Sequence, residues 1–367
     1  MDEFFAHLPM QVYFKDQDGF LDRLFSLGFK RVFILTDRHV AMTCHDMLGS
    51  IQSALDAKGV AYRLFDGCAP PITEDKLREA VESGRAFEAD AILTLGGGSV
   101  IDAGKILGRL LYEPADFLSA WLKSREEPPF KNTALPVFAV MTTPSLQGAL
   151  NEQALVYDDD DSRYIRLKDE SLYPDAIFIS PSCYEHLVKE RLLYTRLDIM
   201  IRAFEIMQGD MNPFAYDRAK LAFEATLTLD SIDTLGYASF LIHSIGAPKS
   251  VFPLHQMSDT IESVHPRTPH NAFLRDGVLP YLEYRLEILD EKARKDITTL
   301  FSKTPYASVD LYIAFEAFVN TLFTGDVPTT ELSESPSEYV VELKRLFPRF
   351  EALSDEALYE IFKRAKE

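Results

Sequence analysis

The stretch AILTLGGGSVIDAGKILGRLL, from Ala91 to Leu111, decides the fold of this 367-residue chain. A short apolar run that is typical of a buried β-strand leads into three consecutive glycines, and a helical pattern begins directly behind them. Glycines at a strand-to-helix turn let backbone amides approach a ligand closely, and the amino end of the helix adds partial positive charge. The stretch predicts either a pyrophosphate cradle, with Ser99 capping the helix and donating to a phosphate oxygen, or a tight turn without a ligand.

Short apolar strands and helical patterns alternate on both sides of this turn. They predict strand 31–36, helix 38–58, strand 61–66, helix 73–87, strand 91–95 and strand 136–143. Strands this rich in Val, Ile, Leu and Phe, separated by helices, indicate a mainly parallel sheet that is covered on both faces. A hairpin is predicted at residues 152–167, with the aspartate run 158–161 as its solvated turn.

The second half of the chain has a different pattern. From about residue 181 onward, strand signals nearly vanish and apolar residues recur every three or four positions. The predicted fold class is therefore α/β followed by all-α: a Rossmann-like, mainly parallel domain and then a helical domain. We place the two domains at residues 1–181 and 182–367.

The overall composition restricts the possible partners. With 38 Lys and Arg against 57 Asp and Glu, the formal net charge is −19, which argues against nucleic acid and anionic membranes as partners. No run of about 18 apolar residues predicts a membrane span, and the acidic start MDEFF is unlike a signal peptide. Cys44, Cys68 and Cys183 are too scattered for a disulfide framework. We therefore expect a reduced, cytoplasmic protein.

An acidic residue follows the first of these strands. Asp37 lies where an acid in a dinucleotide-binding fold accepts hydrogen bonds from the adenosine ribose. A carboxylate there would repel a ribose 2′-phosphate, which favours NAD(H) over NADP(H). The alternative is that Asp37 only caps the helix that follows it.

Several segments resemble one enzyme family. GGGSVIDAGK is similar to the GGGSxxDxAK signature of the iron-containing (group III) alcohol dehydrogenases, which belong to the dehydroquinate-synthase-like superfamily. Other segments resemble that family in the same order: FILTD, TTPSLQGALNE, LYPDAIFISP, TPHNAFLRDGVLPYLEY and LFPRFEALSDEALYEIFKRA. The chain resembles a divergent member.

This resemblance implies that NAD(H) binds in the α/β domain and that the active site lies in the cleft between this domain and a metal- and substrate-binding helical domain. The implied cofactor-binding residues are Asp37, Gly96, Gly97, Gly98, Ser99, Asp102, Lys105, Thr142, Thr143 and Ser145. The loop at residues 142–152 departs from the family pattern, because Thr, Thr, Gly and Ser are replaced by Leu146, Ala149, Leu150 and Asn151. Leucine approaches a ligand less closely than glycine does, so this loop is expected to bind nicotinamide less well.

The segment RLDIMIRAFE, residues 196–205, falls where the family has GxDALxHAxE. In the iron enzymes this Asp and this His bind one divalent ion together with two later histidines. Asp198 is retained here, but Arg202 replaces the histidine, and a guanidinium remains protonated and cannot coordinate a cation. The resemblance therefore does not imply a complete four-ligand site.

Two alternatives remain for Asp198. One is a three-ligand site for zinc or iron, formed by Asp198, His255 and His270, with His265 as a rival ligand. The other is an ion pair with Arg202 one helical turn away, whose positive charge would keep a divalent cation out. Asp259 stands where the family has a further histidine, and with Asp198 and Arg202 it completes the candidate catalytic residues. The remaining histidines match nothing in the family and are expected to be ordinary core or surface residues: His7, His39, His45, His186 and His243.

The resemblance implies an NAD(H)-dependent oxidoreductase that interconverts an alcohol and an aldehyde or ketone by hydride transfer. A bound metal would act as a Lewis acid on the substrate oxygen; without one, Arg202 would polarise the carbonyl or clamp a small acidic substrate. Homodimers are common in the family. The alternatives are a catalytically degenerate nucleotide-binding homologue and a sugar-phosphate cyclase-type lyase of the same superfamily.

Overall fold

The computed structural model describes residues 8–124, 130–159, 163–209, 212–228, 231–245, 252–265, 272–323 and 332–366. These residues form two compact units, one that ends at Leu187 and one that begins at Val188. The functions that the sequence analysis assigns to the two domains remain predictions at this point.

The first unit, called here the α/β unit, contains eight strands within its described residues. They are β1 Gln11–Phe14, β2 Arg31–Leu35, β3 Ala61–Phe65, β4 Ala91–Gly96, β5 Val137–Met141, β6 Gln153–Asp158, β7 Arg163–Lys168 and β8 Ala176–Ile179. Six of them form a parallel sheet in the order β1-β8-β5-β4-β2-β3, and β6 pairs with β7 as an antiparallel hairpin. The predicted strands and hairpin are confirmed, although part of the predicted turn, residues 160–161, lies outside the described residues.

In the part of the α/β unit that the structure describes, six α-helices accompany the sheet. They are α1 Gln17–Ser26, α2 Arg38–Thr43, α3 His45–Ala57, α4 Glu74–Phe87, α5 Gly98–Leu110 and α6 Phe117–Ser124. Every residue of β4, β5 and β8 is buried, as expected for central parallel strands. The single helix predicted at residues 38–58 is wrong: Cys44, at φ −106° and ψ 33°, leaves the helical region and divides it in two.

The strand order reverses beside β2. The chain runs from β2 to its neighbour β3, and then returns to the other side of β2 to form β4. In open parallel sheets, ligands bind outside the carboxyl ends of the strands at such a switch point. Asp37 follows β2 and Gly96 ends β4, so both lie at this point of the sheet.

The second unit, called here the helical unit, contains nine helices among the residues that the structure describes. They are α7 Lys189–Gln208, α8 Pro213–Leu227, α9 Ile232–His243, α10 Pro253–Val264, α11 Ala272–Glu287, α12 Glu291–Phe301, α13 Leu311–Leu322, α14 Pro336–Leu346 and α15 Asp355–Lys366. The predicted fold class is confirmed. Within the described ranges, no helix is long and apolar enough to cross a membrane.

Helix α7 passes through the core of the helical unit. Every residue from Leu197 to Met207 is buried, and the ring of Phe204 packs edge-on against that of Phe315. Three charged residues, Asp198, Arg202 and Glu205, are buried along this stretch. Buried charges are stable only when other groups pair with them, so their partners define a polar site within an apolar core.

Candidate functional site

The three glycines at the end of β4 serve different purposes. A methyl group on Gly96 would lie 2.4 Å from Cβ of Val100, and one on Gly97 would lie 3.0 Å from Cγ2 of Thr143. A methyl group on Gly98 would meet no atom within 4 Å. Packing therefore requires glycine at position 96, whereas Gly98 adjoins open space at the amino end of α5.

The amino end of α5 presents free backbone donors to this space. The first hydrogen bond of the helix runs from the Ile101 amide to the Gly97 carbonyl, at 3.1 Å, and no side chain caps the helix. The preceding amides have no partner within the helix, and the helix dipole adds positive charge. The expectation that Ser99 caps the helix is wrong, because Gly97 occupies the capping position and Ser99 lies in the first turn. That Ser99 contacts a phosphate stays a prediction.

Asp37 caps helix α2, as one of the two sequence interpretations expected. Its Oδ1 accepts a hydrogen bond from the Val40 amide at 2.9 Å. The preceding residue, Thr36, donates from Oγ1 to the carbonyl of Leu95 at 2.8 Å, which ties the carboxyl end of β2 to that of β4. The acid and the glycine turn therefore follow strand ends that are bonded together. Capping uses one carboxylate oxygen, and the predicted contact with a ribose remains a prediction.

Lys105 is fully buried, and its ammonium group binds the loop at residues 142–152. It donates to the carbonyls of Gly148 at 2.6 Å and Asn151 at 2.9 Å, and also to that of Gln153. Burial lowers the pKa of Lys105 to about 8, although the nearby carboxylate of Asp102 opposes this shift. Lys105 therefore holds the loop against α5 by donating hydrogen bonds to backbone carbonyls at and next to the loop.

Asp102 has one carboxylate oxygen without a hydrogen-bond partner. Its Oδ2 accepts from the Leu155 amide at 3.2 Å, while Oδ1 is buried, accepts no hydrogen bond and lies 4.0 Å from Nζ of Lys105. Burial raises the pKa of Asp102 to about 6, against the opposing charge of Lys105. A methyl group on Gly148 would lie 3.5 Å from this Oδ1 and 3.6 Å from Cα of Gly98. The unpaired oxygen, Gly98 and the loop thus meet at one place, and a buried acceptor there calls for a donor from a ligand.

Three of the residues that replace the family's residues in this loop have buried side chains. Leu146, Ala149 and Leu150 are buried, and the amides of Ala149 and Leu150 both donate to the carbonyl of Leu146 at 3.1 Å. Thr142 bonds through its amide to the carbonyl of Gly96 at 3.1 Å, and its buried hydroxyl has no partner. The apolar replacements therefore anchor the loop, which remains fastened to the glycine turn.

A second group of polar residues lies inside the helical unit. Arg202 Nε donates to Asp198 Oδ1 at 2.9 Å, and Nε2 of His255, from α10, contacts the same oxygen. The other ring nitrogen of His255, Nδ1, lies 3.3 Å from Glu205 Oε2. Glu205 Oε1 accepts hydrogen bonds from the Leu254 amide at 2.9 Å and from the hydroxyl of Tyr281, on α11, at 3.0 Å. These residues, Asp198, Arg202, Glu205, His255 and Tyr281, are called here the buried network.

The charges of the buried network stabilise one another. Burial alone would raise the pKa of Asp198, but the adjacent Arg202 and His255 outweigh burial and hold this pKa well below its ordinary value. The guanidinium of Arg202 also lies 5.0 Å from the ring centroid of Phe252. The ion pair that the four-residue spacing predicted is therefore present, and it lies in the core.

The other predicted residues of the helical unit are His265, Asp259 and His270. His265 accepts or donates a hydrogen bond with the hydroxyl of Tyr339 at 2.8 Å, and Asp259 is half-buried on α10. His270 lies outside the described residues. The roles predicted for Asp259 and His270 stay predictions.

Comparison with known proteins finds a family that is similar to the first half of the chain. The model of the iron-containing alcohol dehydrogenase family matches residues 11–181, which include the glycine turn, Asp37 and the loop. The bifunctional aldehyde-alcohol dehydrogenase of Escherichia coli K12 is 27% identical over 207 residues, which cover 54% of this chain and 23% of that enzyme. The chain thus spans about a quarter of that relative's length.

Two solved structures show that the fold of the iron-containing alcohol dehydrogenases extends over the whole chain. NADH-dependent butanol dehydrogenase A from Thermotoga maritima has a TM-score of 0.76 and 20% identity, covering 100% of this chain and 99% of that one. Sulfoacetaldehyde reductase from Bifidobacterium kashiwanohense, solved in complex with NAD+, has a TM-score of 0.81 and 14% identity, covering 100% of both chains. At such identities the likeness shows the fold.

The family resemblance implies a dinucleotide and a divalent metal ion. The described residues fit the dinucleotide but not the metal ion. The open space at Gly98, the free amides of α5 and the unpaired Asp102 oxygen suit a dinucleotide. The described residues contain no group of three or more His, Cys, Asp or Glu that could hold a metal ion. Asp198 and His255 are bonded to each other, to Arg202 and to Glu205, so the donor set does not fit a divalent cation.

Sequence reasoning missed three polar residues of the helical unit. Glu205 follows Arg202 by three residues and Asp198 by seven, which places it on their face of the helix, so its spacing was an available signal. Tyr281 carries no such signal. His243 was expected to be ordinary, yet it lies within electrostatic range of Arg202 and Asp198: burial first, and then the Arg202 charge, lower its pKa to about 3.

Proposed function

We propose that this protein is an NAD(H)-dependent oxidoreductase that interconverts an alcohol and an aldehyde or ketone by hydride transfer. The observation that carries the proposal is the turn at Gly96–Gly98, which lies at the switch point of the sheet and has open space at Gly98. The family match covers this region, and one relative of the same fold is NADH-dependent while another was solved with NAD+.

Different residues of the α/β unit would bind different parts of the cofactor. The free amides at the start of α5 would bind the diphosphate, because they combine hydrogen-bond donors with the positive end of the helix. Asp37 would accept hydrogen bonds from the adenosine ribose and repel a 2′-phosphate. The unpaired Oδ1 of Asp102 would accept a hydrogen bond from a cofactor group beside Gly98 and Gly148. The bound nicotinamide would supply the site that accepts or donates hydride.

The altered loop favours one alternative function. Leu146, Ala149 and Leu150 replace residues that the family uses near the cofactor, and their side chains are buried. A homologue that binds the nucleotide without turnover would be compatible with this change. The firm attachment of the loop by Lys105 favours the enzyme, since it keeps the loop backbone beside the glycine turn.

A location and an assembly state belong to the same proposal. We place the enzyme in the cytoplasm, which the three free cysteines, all buried, are compatible with. A homodimer acting on a small-molecule substrate rests on the resemblance to the family. Neither point enters the mechanism.

The proposal is tested by titrating the protein with NADH and NADPH and by then measuring cofactor oxidation with a panel of aldehydes and ketones. We expect saturable NADH binding, weaker NADPH binding and turnover with at least one carbonyl compound. Tight NADH binding without turnover of any compound would favour the degenerate homologue. No binding of either nucleotide would contradict the proposal.

A further inference from the structure

We propose that the helical unit needs no resident metal ion, because the guanidinium of Arg202 brings to Asp198 the positive charge that a divalent cation would otherwise bring. This inference rests on the proposed function and deepens it. The observations behind it are the hydrogen bonds and ion pairs within the buried network.

The carboxylate of Asp198 contacts two side chains of the buried network. Its Oδ1 accepts from Arg202 Nε at 2.9 Å and also contacts His255 Nε2. A metal ion at this oxygen would have to displace one of these groups. The guanidinium would then remain in the same buried place, because Asp198 and Arg202 lie one turn apart on α7 and are both almost fully buried. A divalent cation next to a fixed guanidinium in a poorly solvated core is strongly repelled.

The imidazole of His255 has no nitrogen left for a metal. Nε2 contacts Asp198 Oδ1, and Nδ1 lies 3.3 Å from Glu205 Oε2. A metal ion at either nitrogen would have to displace the carboxylate oxygen that this nitrogen contacts. Coordination requires a nitrogen lone pair that is directed at the ion, and both ring nitrogens are directed at these carboxyl groups instead.

The groups of the network are bonded to one another. The guanidinium of Arg202 pairs with Asp198, and the ring of His255 lies between the carboxyl groups of Asp198 and Glu205. The second oxygen of Glu205 is satisfied by the Leu254 amide at 2.9 Å and the Tyr281 hydroxyl at 3.0 Å. Burial raises the pKa of Tyr281 well above its ordinary value, so its hydroxyl remains a donor. Paired buried charges whose remaining atoms are also bonded are stable without a further ion.

Glu205 acts as a positioning residue in this arrangement. The Leu254 amide and Tyr281 fix one of its oxygens, and this aims the other at Nδ1 of His255. Helix α7 thereby contributes an anion on each side of the imidazole. Arg202 is thereby held by Asp198, and His255 is held by both acids.

The test is the metal content of the wild-type protein, purified without chelator from cells grown with added zinc or iron and measured by mass spectrometry. We expect far less than one ion per chain, and no change after incubation with zinc sulfate and desalting. About one ion per chain, lost in Asp198→Asn, would overturn the proposal.

Two variants sharpen this test. Arg202→His removes the guanidinium and adds a ligating nitrogen one turn from Asp198, so it should acquire about one zinc or iron ion per chain. Arg202→Lys keeps the positive charge and should remain without metal. A folded Arg202→His protein that takes up no metal would contradict the claim that Arg202 excludes the ion. If that variant fails to fold, as circular dichroism would show, the wild-type metal content decides alone.

NADH titration of the same wild-type sample separates this inference from the proposed function. Loss of NADH binding would remove the proposed function and would leave the metal content as measured. Normal NADH binding together with a stoichiometric metal ion would keep the enzyme and overturn the metal-free network.

Discussion

The glycine turn of the α/β unit and the buried network of the helical unit are both rich in polar groups, but they differ in how these groups are paired. At the turn, the amides at the start of α5 lack helical partners and Oδ1 of Asp102 accepts no hydrogen bond. In the network, Asp198, Arg202, Glu205 and His255 bond to one another. Unpaired polar groups beside open space indicate where a ligand binds, whereas mutual pairing shows that the protein has supplied its own partners.

The largest expected effect concerns stability and comes from the network. Arg202→Met leaves the Asp198 charge buried with one partner fewer, so we expect a loss of about 3–5 kcal/mol in the free energy of unfolding. Urea denaturation of wild type and variant measures this loss. The matched control is Arg345→Met, which breaks an exposed ion pair with Glu342 and should cost less than about 1 kcal/mol. Equal losses of unfolding free energy in the two variants would show that the buried network stabilises the fold no more than an exposed ion pair does.

The next effect concerns cofactor binding at the turn. Gly98→Val places methyl groups in the open space before the amides of α5, so NADH affinity should fall by about 100-fold, or about 2.7 kcal/mol. The melting temperature should hardly change, because a methyl group there meets no protein atom within 4 Å. Isothermal titration and thermal unfolding provide the two measurements.

Gly96→Ala is the control for this prediction. Its methyl group would lie 2.4 Å from Cβ of Val100, so this variant should lose stability by about 1–3 kcal/mol. A Gly98→Val protein that binds NADH as tightly as wild type would contradict the assignment of the diphosphate to this turn.

A smaller effect depends on pH. The pKa of His243 is lowered from 6.5 to about 3, mainly by burial. Between these values the unfolded chain binds a proton that the folded protein does not bind, so stability is full above about pH 6.5 and declines as the pH falls toward 3. From pH 7 to pH 5 this one group should remove about 1–2 kcal/mol.

Urea denaturation at the two pH values checks this pH effect. His243→Asn, which can keep the bond to the Ser239 carbonyl, should show a smaller decline than wild type, and His186→Asn, at an exposed position, should match wild type. If the free energy of unfolding of His243→Asn falls from pH 7 to pH 5 as steeply as that of wild type, the imidazole of His243 is not the cause of the pH effect.

The smallest effect separates the two roles of Asp37. Asp37→Asn preserves the cap of α2, because asparagine caps helices as well as aspartate does. The loss of the negative charge should raise NADPH affinity by about 10-fold relative to NADH affinity, or about 1.4 kcal/mol, without a change in melting temperature. Titrations with both nucleotides measure the ratio. An unchanged ratio would mean that Asp37 is only a cap.

The parts of the fold that depend on local signals could be predicted from the sequence. The glycines after residues 91–95 predicted the turn between β4 and α5, and the spacing of Asp198 and Arg202 predicted their ion pair. The break at Cys44 was not predicted, because the sequence there has neither glycine nor proline. Strand β1, which pairs with β8 at the far edge of the sheet, also has no local signal of its partner.

The buried network could be predicted only in part. Glu205 and His255 are 50 residues apart in the chain, and Glu205 and Tyr281 are 76 apart. Such contacts depend on how α7, α10 and α11 pack, and periodicity reports only which face of each helix is buried. Likewise, the sequence could not show that Lys105 donates to loop carbonyls, since that depends on the path of the loop.

The most direct test of the account is an NADH titration of wild-type protein that has been treated with a chelator and desalted. An open glycine turn and a network complete without metal predict saturable binding with one NADH per chain, unchanged when zinc or iron is added back. Absence of binding, or binding that appears only when metal is restored, would contradict the account.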